Sequence, residues 1–156
     1  MYYTLERTQT LACPLDDVFA FFEKPENLAR ITPRSLGFEI LTPSPIAMKS
    51  GAVIDYTIKV LGVRQHWTTL ITDYSPPHGF VDVQLKGPYT FWHHTHSFET
   101  VPGGTRMTDR VRYLLPFGPL GRIAHALFVK KQLARIFAHR ERMIREQFGA
   151  ASVAAK

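Results

Sequence analysis

The sequence predicts an α+β fold in which an antiparallel sheet packs against one long C-terminal helix. Short strand-like runs fill the middle of the chain, one long helical pattern closes it, and the two kinds of pattern are segregated rather than alternating. With 156 residues, of which 45% are hydrophobic, the chain is long enough to bury a core. We predict a single domain over residues 1–149 and a disordered tail over residues 150–156.

The N-terminal part predicts one strand followed by two short helices. Residues 2–12 alternate loosely between apolar and polar side chains, as expected for a first strand. Asp16 and Asp17 then follow Pro14, and acidic side chains in a first helical turn interact favourably with the helix dipole. A second short helix is predicted over Pro25–Ile31.

Six further strand-like segments follow, separated by turns that contain Gly or Pro. They cover residues 38–42, 52–61, 63–74, 80–85, 89–101 and 105–115. Because short connections can only join antiparallel neighbours, these segments predict an antiparallel sheet of hairpins.

The long C-terminal helix is predicted over Pro119–Phe148, with Gly149 as its stop signal. At 1.5 Å per residue it would be about 45 Å long and would cross the whole domain. Apolar residues recur along it at steps of three and four, which predicts one broad face buried against the sheet. These residues are Ile123, Ala126, Val129, Leu133, Ile136, Phe137, Ile144 and Phe148.

The net charge of +6 is concentrated in this helix, which holds seven basic and two acidic residues. We interpret the basic side chains mainly as the solvated outer face of a helix that packs on the core. They are also compatible with a weak contact to an anionic membrane surface. No aromatic stacking pattern or nucleic-acid motif accompanies the charge, so no nucleic-acid partner is expected.

The register of the last hairpin can be predicted from its turn. If Thr100 pairs with Thr105, then Phe98 faces Met107, and the pairs His96–Asp109, His94–Val111 and Trp92–Tyr113 follow on the same face. The apolar members of these pairs indicate that this face points into the protein. The interior is therefore expected to carry aromatic groups together with a small polar group formed by His94, His96 and Asp109.

The middle hairpin follows the same logic, and pairing Val60 with Val63 places Tyr56 beside Trp67 on the inner face. The strand over Phe80–Leu85 stays open at this stage. Either its odd-numbered residues (Val81, Val83, Leu85) or its even-numbered residues (Phe80, Asp82, Gln84) point inward, because a one-residue change in the next turn reverses the set.

Several short sequence motifs, together with this order of elements, resemble the START-like or SRPBCC helix-grip superfamily, in its bacterial polyketide cyclase/dehydrase-like ligand-binding branch. They are Pro14-Leu15-Asp16-Asp17-Val18-Phe19, Trp67-x-Thr69-x-Ile71, Gly87-Pro88-Tyr89, Trp92-x-His94-x-His96-x-Phe98, Gly104-Thr105, Asp109, Tyr113-x-x-Pro116 and Ile136-Phe137-x-x-Arg140. The resemblance implies a seven-stranded antiparallel sheet that grips the C-terminal helix around an apolar tunnel. It also implies a hydrophobic ligand, which fold alone does not identify.

Two functions are consistent with these observations. The first is binding, with or without transport, of a lipid, isoprenoid or polyketide in an internal cavity. The residues predicted to bind the ligand are Tyr56, Trp67, Trp92, His94, His96, Asp109 and Tyr113. The second is a cyclase or dehydratase activity in which His96 and Asp109 act on a polyketide-like substrate. No nucleophile motif or phosphate-binding loop is present, so non-catalytic binding is favoured.

A metal centre is an alternative to a hydrogen-bonded cluster, because His94 and His96 share a face and Asp109 lies across the strand. The sequence identifies no further ligand, since His66 should point outward, and we expect neither a metal nor a cofactor. The single cysteine, Cys13, excludes an internal disulfide, and no apolar run follows Met1, so a cytoplasmic protein is expected. The oligomeric state is left open.

Overall fold

The computed structural model describes residues 2–60 and 62–151, and its elements follow the predicted order. The seven strands form one antiparallel sheet in the order β1-β7-β6-β5-β4-β3-β2, which confirms the predicted α+β helix-grip architecture. Two 3₁₀ turns, Pro25–Ile31 and Arg34–Leu36, follow the first helix. The elements are β1 (Tyr3–Leu11), α1 (Leu15–Phe22), β2 (Glu39–Ile40), β3 (Val53–Val60), β4 (Val63–Ser75), β5 (Gly79–Lys86), β6 (Phe91–Val101), β7 (Gly104–Leu114), α2 (Gly118–Ala124) and α3 (Lys130–Phe148).

The predicted registers of both hairpins are confirmed. Thr100 pairs with Thr105 across the β6–β7 turn, and His96 therefore lies opposite Asp109. In the middle hairpin Tyr56 pairs with Trp67. In both hairpins the pairing at the turn fixes the pairs along the rest of the hairpin, because side chains alternate regularly along each strand.

The inward face of β5, which the sequence left open, is the even-numbered one. Phe80 is buried and Asp82 faces the interior, while Leu85 is 58% exposed. The regular pairing of β5 with β6 fixes this face, because Phe80 lies opposite His96 and Asp82 opposite His94, and both histidines are buried on the inner face. The pairing of β4 with β5 is irregular between Thr68 and Thr69 and between Ile71 and Asp73, so the alternation of β4 does not predict the face of β5.

The prediction of one uninterrupted α-helix over residues 119–148 is wrong in its N-terminal third. A π-helical turn, His125–Val129, lies between α2 and α3. A π turn accommodates an additional residue and therefore rotates the helical face on one side of it relative to the other. The predicted apolar stripe is buried in α3 at Leu133, Phe137 and Ile144, whereas Ile123 in α2 is 56% exposed.

The core consists of two aromatic groups between the sheet and the helices. The first surrounds α1, where the ring of Phe19 lies edge-on to that of Phe98 with a centroid distance of 5.7 Å. The second lies beside α3, where Trp67 contacts Trp92 edge-on at 5.2 Å. Side chains from both groups leave a cavity between them.

The end of the chain departs from the expected free tail. We predicted disorder from Ala150 onward, but Ala150 forms a bridge with Leu11 and the Ala151 amide donates to the Thr10 carbonyl at 3.2 Å. Residues 152–156 of the predicted tail lie outside the described residues.

Candidate functional site

A cavity of about 210 Å³ lies between the inner face of the sheet and α3. Its wall is mostly apolar and is closed on one side by the 3₁₀ turns that follow α1. Five residues that the sequence predicted for the site line it, namely Tyr56, Trp67, Trp92, His94 and His96. The volume exceeds that of an engineered apolar cavity of about 150 Å³ that binds benzene.

The other two predicted site residues, Asp109 and Tyr113, lie behind the cavity wall. The Tyr113 ring packs against Trp92, and its hydroxyl is hydrogen-bonded to His125 Nε2 at 2.9 Å. Asp109 contacts the two histidines from the side of β7. The sequence placed both residues correctly on the inner face of the sheet. Neighbouring side chains cover them, so neither lines the cavity.

Asp82, His94, His96, Asp109 and Arg140 form a buried polar cluster at one end of the cavity. The His96 ring bridges two carboxylates, with Nε2 at 2.7 Å from Asp82 and Nδ1 at 3.0 Å from Asp109. His94 also contacts both, with Nε2 at 3.0 Å from Asp109 and Nδ1 at 3.4 Å from Asp82. The two imidazole rings lie 3.7 Å apart, so the cluster is compact.

Arg140 is the cation of the cluster, and the sequence patterns did not place it there. Its Nε donates to Asp109 Oδ2 at 3.0 Å and its Nη2 lies 3.4 Å from Oδ1. The guanidinium also lies over the ring of Phe22, 5.3 Å from its centroid, which holds it against the apolar core. The residue is only 7% exposed, since α3 turns it toward the sheet.

The charges of the cluster are balanced by its geometry. Burial raises the pKa of the Asp109 carboxyl, but the charge of Arg140 and the hydrogen bonds from the histidines outweigh this and hold that pKa well below its usual value. Burial by itself would lower the pKa of His96. Its hydrogen bonds to Asp109 and Asp82 have the opposite and larger effect, so the pKa of His96 lies above its usual value.

The pKa values of the two histidines are shifted in opposite directions. Burial and the neighbouring His96 lower the pKa of His94, although Asp82 and Asp109 act in the opposite direction. Burial by itself would raise the pKa of Asp82, but the two histidines bring it below its usual value. The buried carboxylates are therefore compensated by Arg140 and by the imidazoles, as buried charges require.

Asp82, His94 and His96 are also the residues that could hold a metal ion, because their ligand atoms lie within 4.8 Å of one another. Asp82 is the ligand that the sequence did not reveal, since the face of β5 was undecided. Asp109 would then orient both imidazoles from outside the coordination shell. His66 points away from the cavity, as expected, and contacts Asp55 at 2.9 Å on the exposed side.

Trp67 lines the cavity, and its indole N–H is buried without a hydrogen-bond partner among residues 2–60 and 62–151. Its side chain is 4% exposed. A buried N–H without an acceptor is costly, so such groups call for an explanation. Nothing in the sequence distinguishes this tryptophan from Trp92 in that respect.

The fold and the site define a helix-grip protein with an internal cavity. The match to the family model described as polyketide cyclase/dehydrase and lipid transport covers residues 3–146, and the chain therefore belongs to this family, within the START-like/SRPBCC superfamily. No curated protein sequence is significantly similar to it.

Solved structures from several bacteria share the fold at low sequence identity. Protein TTHA0849 of Thermus thermophilus superposes with a TM-score of 0.72 at 15% identity, covering 94% of this chain and 96% of that one. The ZhuI aromatase/cyclase of Streptomyces sp. R1128 gives 0.67 at 18% identity with the same two coverages. Protein CV1439 of Chromobacterium violaceum gives 0.70 at 10% identity, again over 94% and 96%.

Within the described residues, no helix is both long enough and apolar enough to cross a membrane.

Proposed function

We propose that this protein binds a hydrophobic small molecule, such as a lipid, isoprenoid or polyketide, that carries an oxygen function at one end. The main support is a mostly apolar cavity whose wall includes four residues of the buried polar cluster, Asp82, His94, His96 and Arg140. The apolar wall favours a hydrophobic body. The polar cluster favours an oxygen atom at one end of that body, because its side chains offer both hydrogen-bond donors and acceptors. At the polar cluster, Asp82 accepts a hydrogen bond from a ligand hydroxyl, and Arg140 donates to a ligand carbonyl.

The alternative function is a cyclase or dehydratase reaction, and one feature of the cluster favours it. The His96 ring lies at the cavity wall between two carboxylates that raise its pKa, so it is placed to act as a general acid toward a substrate carbonyl. In that case the residue paired with His96 at the cavity surface is Asp82 rather than Asp109, which would act as a positioning residue. Native mass spectrometry of the purified protein separates the two functions. A bound compound that leaves unchanged supports binding, and its conversion supports catalysis.

Replacing Ile58 by Phe is expected to weaken ligand binding at least about tenfold, because Ile58 lines the cavity and the larger ring would occupy part of it. Both tryptophans of the chain line the cavity, so quenching of their emission by an apolar fluorescent probe measures binding directly. Val63→Phe is the matched control, because Val63 lies on the same hairpin but is 59% exposed. Equal probe affinity in the wild type and Ile58→Phe would contradict binding inside this cavity.

A further inference from the structure

We propose that α2 and the π-helical turn form a docking surface for an anionic lipid bilayer, next to the entrance of the cavity. Five large apolar side chains of this region point into solvent, and we call them the apolar surface. They are Phe117 (80% exposed), Leu120 (71%), Ile123 (56%), Leu127 (56%) and Phe128 (57%). Their concentration within twelve residues distinguishes them from the isolated exposed apolar residues found on most proteins.

The segment that carries the apolar surface is held firmly on its other side. Gly121 is buried, and a Cβ built there would lie 2.1 Å from the Pro116 carbonyl oxygen, so α2 packs closely on the preceding corner. The ring of His125 stacks on Tyr3 at a centroid distance of 3.5 Å and is hydrogen-bonded to Tyr113. The outward direction of the apolar side chains therefore follows from a defined packing of the helix.

The charge around the apolar surface is of one sign. No acidic residue occurs between Asp109 and Glu141, and four basic residues, Arg122, Lys130, Lys131 and Arg135, lie within or just after the segment. None of the four takes part in the ion pairs seen among the described residues. Apolar side chains bordered by unpaired cations are the combination that inserts into the interface of an anionic bilayer.

The charge also favours a bilayer over a second copy of the chain as the partner of the apolar surface. A symmetric dimer through the apolar surface would bring the same four cations of each copy close together. A bilayer that contains anionic headgroups instead offers a hydrocarbon layer to the apolar side chains and negative charge at its surface to the four cations.

The apolar surface lies close to the cavity. A surface groove beside it is lined by Leu127 and Phe128 together with Leu36, Gln132 and Ile136. The last three also line the internal cavity and therefore form a wall shared by the groove and the cavity. A bilayer in contact with the apolar surface would lie against the outer side of this wall, where we place the entrance for a hydrophobic ligand.

Sedimentation with lipid vesicles tests the proposal without any ligand. The wild-type protein should bind phosphatidylcholine vesicles that contain phosphatidylglycerol, and binding should weaken with added salt and be much weaker to phosphatidylcholine alone. The double variant Leu120→Ser/Phe128→Ser should bind about tenfold or more weakly. The control Val63→Ser/Leu85→Ser changes residues of similar exposure elsewhere on the surface and should bind like the wild type.

Two further variants separate surface effects from folding effects. Phe117 has a left-handed backbone conformation, with φ of 68°, that suits glycine better, so Phe117→Gly should raise the melting temperature and still weaken vesicle binding. Lys130→Ala/Lys131→Ala should remove most of the preference for anionic vesicles. Absence of wild-type binding to anionic vesicles would overturn the proposal, as would a dimer in solution that Leu120→Ser/Phe128→Ser dissociates. Retention of vesicle binding by Ile58→Phe would show that docking is independent of cavity binding.

Discussion

Replacing Arg140 by Met is expected to lower the free energy of unfolding by about 3–5 kcal/mol at neutral pH. The substitution leaves Asp109 buried without the guanidinium that donates to both of its oxygens. Asp82 and Asp109 would then lie in a region that excludes water with only the two imidazoles to offset their charge. Protonation of His94 can recover part of the loss, which places the expected value toward the lower end of that range.

Denaturant unfolding of the variant against Arg145→Met measures the effect. Arg145 contacts Glu141 at 3.0 Å, but its side chain is 55% exposed, so its loss should cost at most about 0.5 kcal/mol. A loss below about 1 kcal/mol for Arg140→Met would show that the cluster does not depend on this cation.

The difference between the wild type and Arg140→Met should depend on pH in a definite direction. The pKa of Asp109 is lowered in the folded protein, so its contribution to stability is present above the unfolded value of about 3.9 and is lost as the pH falls through the folded value. Without Arg140, burial would raise that pKa, and the penalty of a charged Asp109 would persist at neutral pH. The stability difference should therefore begin to shrink as the pH falls through the raised pKa of Asp109 in the variant, above about 3.9, and continue to shrink down to the lowered pKa in the wild type.

Replacing Phe137 by Ala is expected to lower the free energy of unfolding by about 3 kcal/mol. Phe137 is 5% exposed and packs against the inner face of the sheet, where its ring meets that of His94 edge-on at 5.6 Å. It also lines the existing cavity, so part of its surface has no protein contact to lose, and the expected value is at the low end for such a change.

Phe128→Ala is the matched control for this prediction, since Phe128 lies in the same helical region but is 57% exposed. Its free energy of unfolding should stay within about 0.5 kcal/mol of the wild-type value. Equal losses for the two variants, measured by denaturant unfolding, would mean that the buried face of α3 has been assigned to the wrong side.

The buried polar cluster shows how closely binding and stability are connected in this protein. Asp82 and His96 line the cavity, while Asp109 and Arg140 hold the histidines in place from the strand and helix behind them. A variant in the cluster therefore changes the ligand site and the core together. For that reason the test of binding proposed above uses Ile58, which lies outside the cluster.

The sequence by itself determined the elements and the registers of two hairpins. Alternation along a strand is a local property, and a turn of known length extends it to the partner strand, so the β6–β7 turn alone places His96 opposite Asp109. The same reasoning placed Tyr56 beside Trp67 on the cavity wall. The apolar stripe of α3 was equally predictable, because it repeats within a single helix.

Only the tertiary structure decided which residues complete the cluster and which helix face is exposed. Asp82 faces inward because β5 pairs with β6 in a register that places Asp82 opposite His94, and Arg140 reaches Asp109 only because α3 crosses the sheet at that point. The π-helical turn rotates α2 away from the core and leaves Ile123 in solvent. These outcomes depend on contacts between residues far apart in the chain, whereas periodic patterns report only on neighbours within one element.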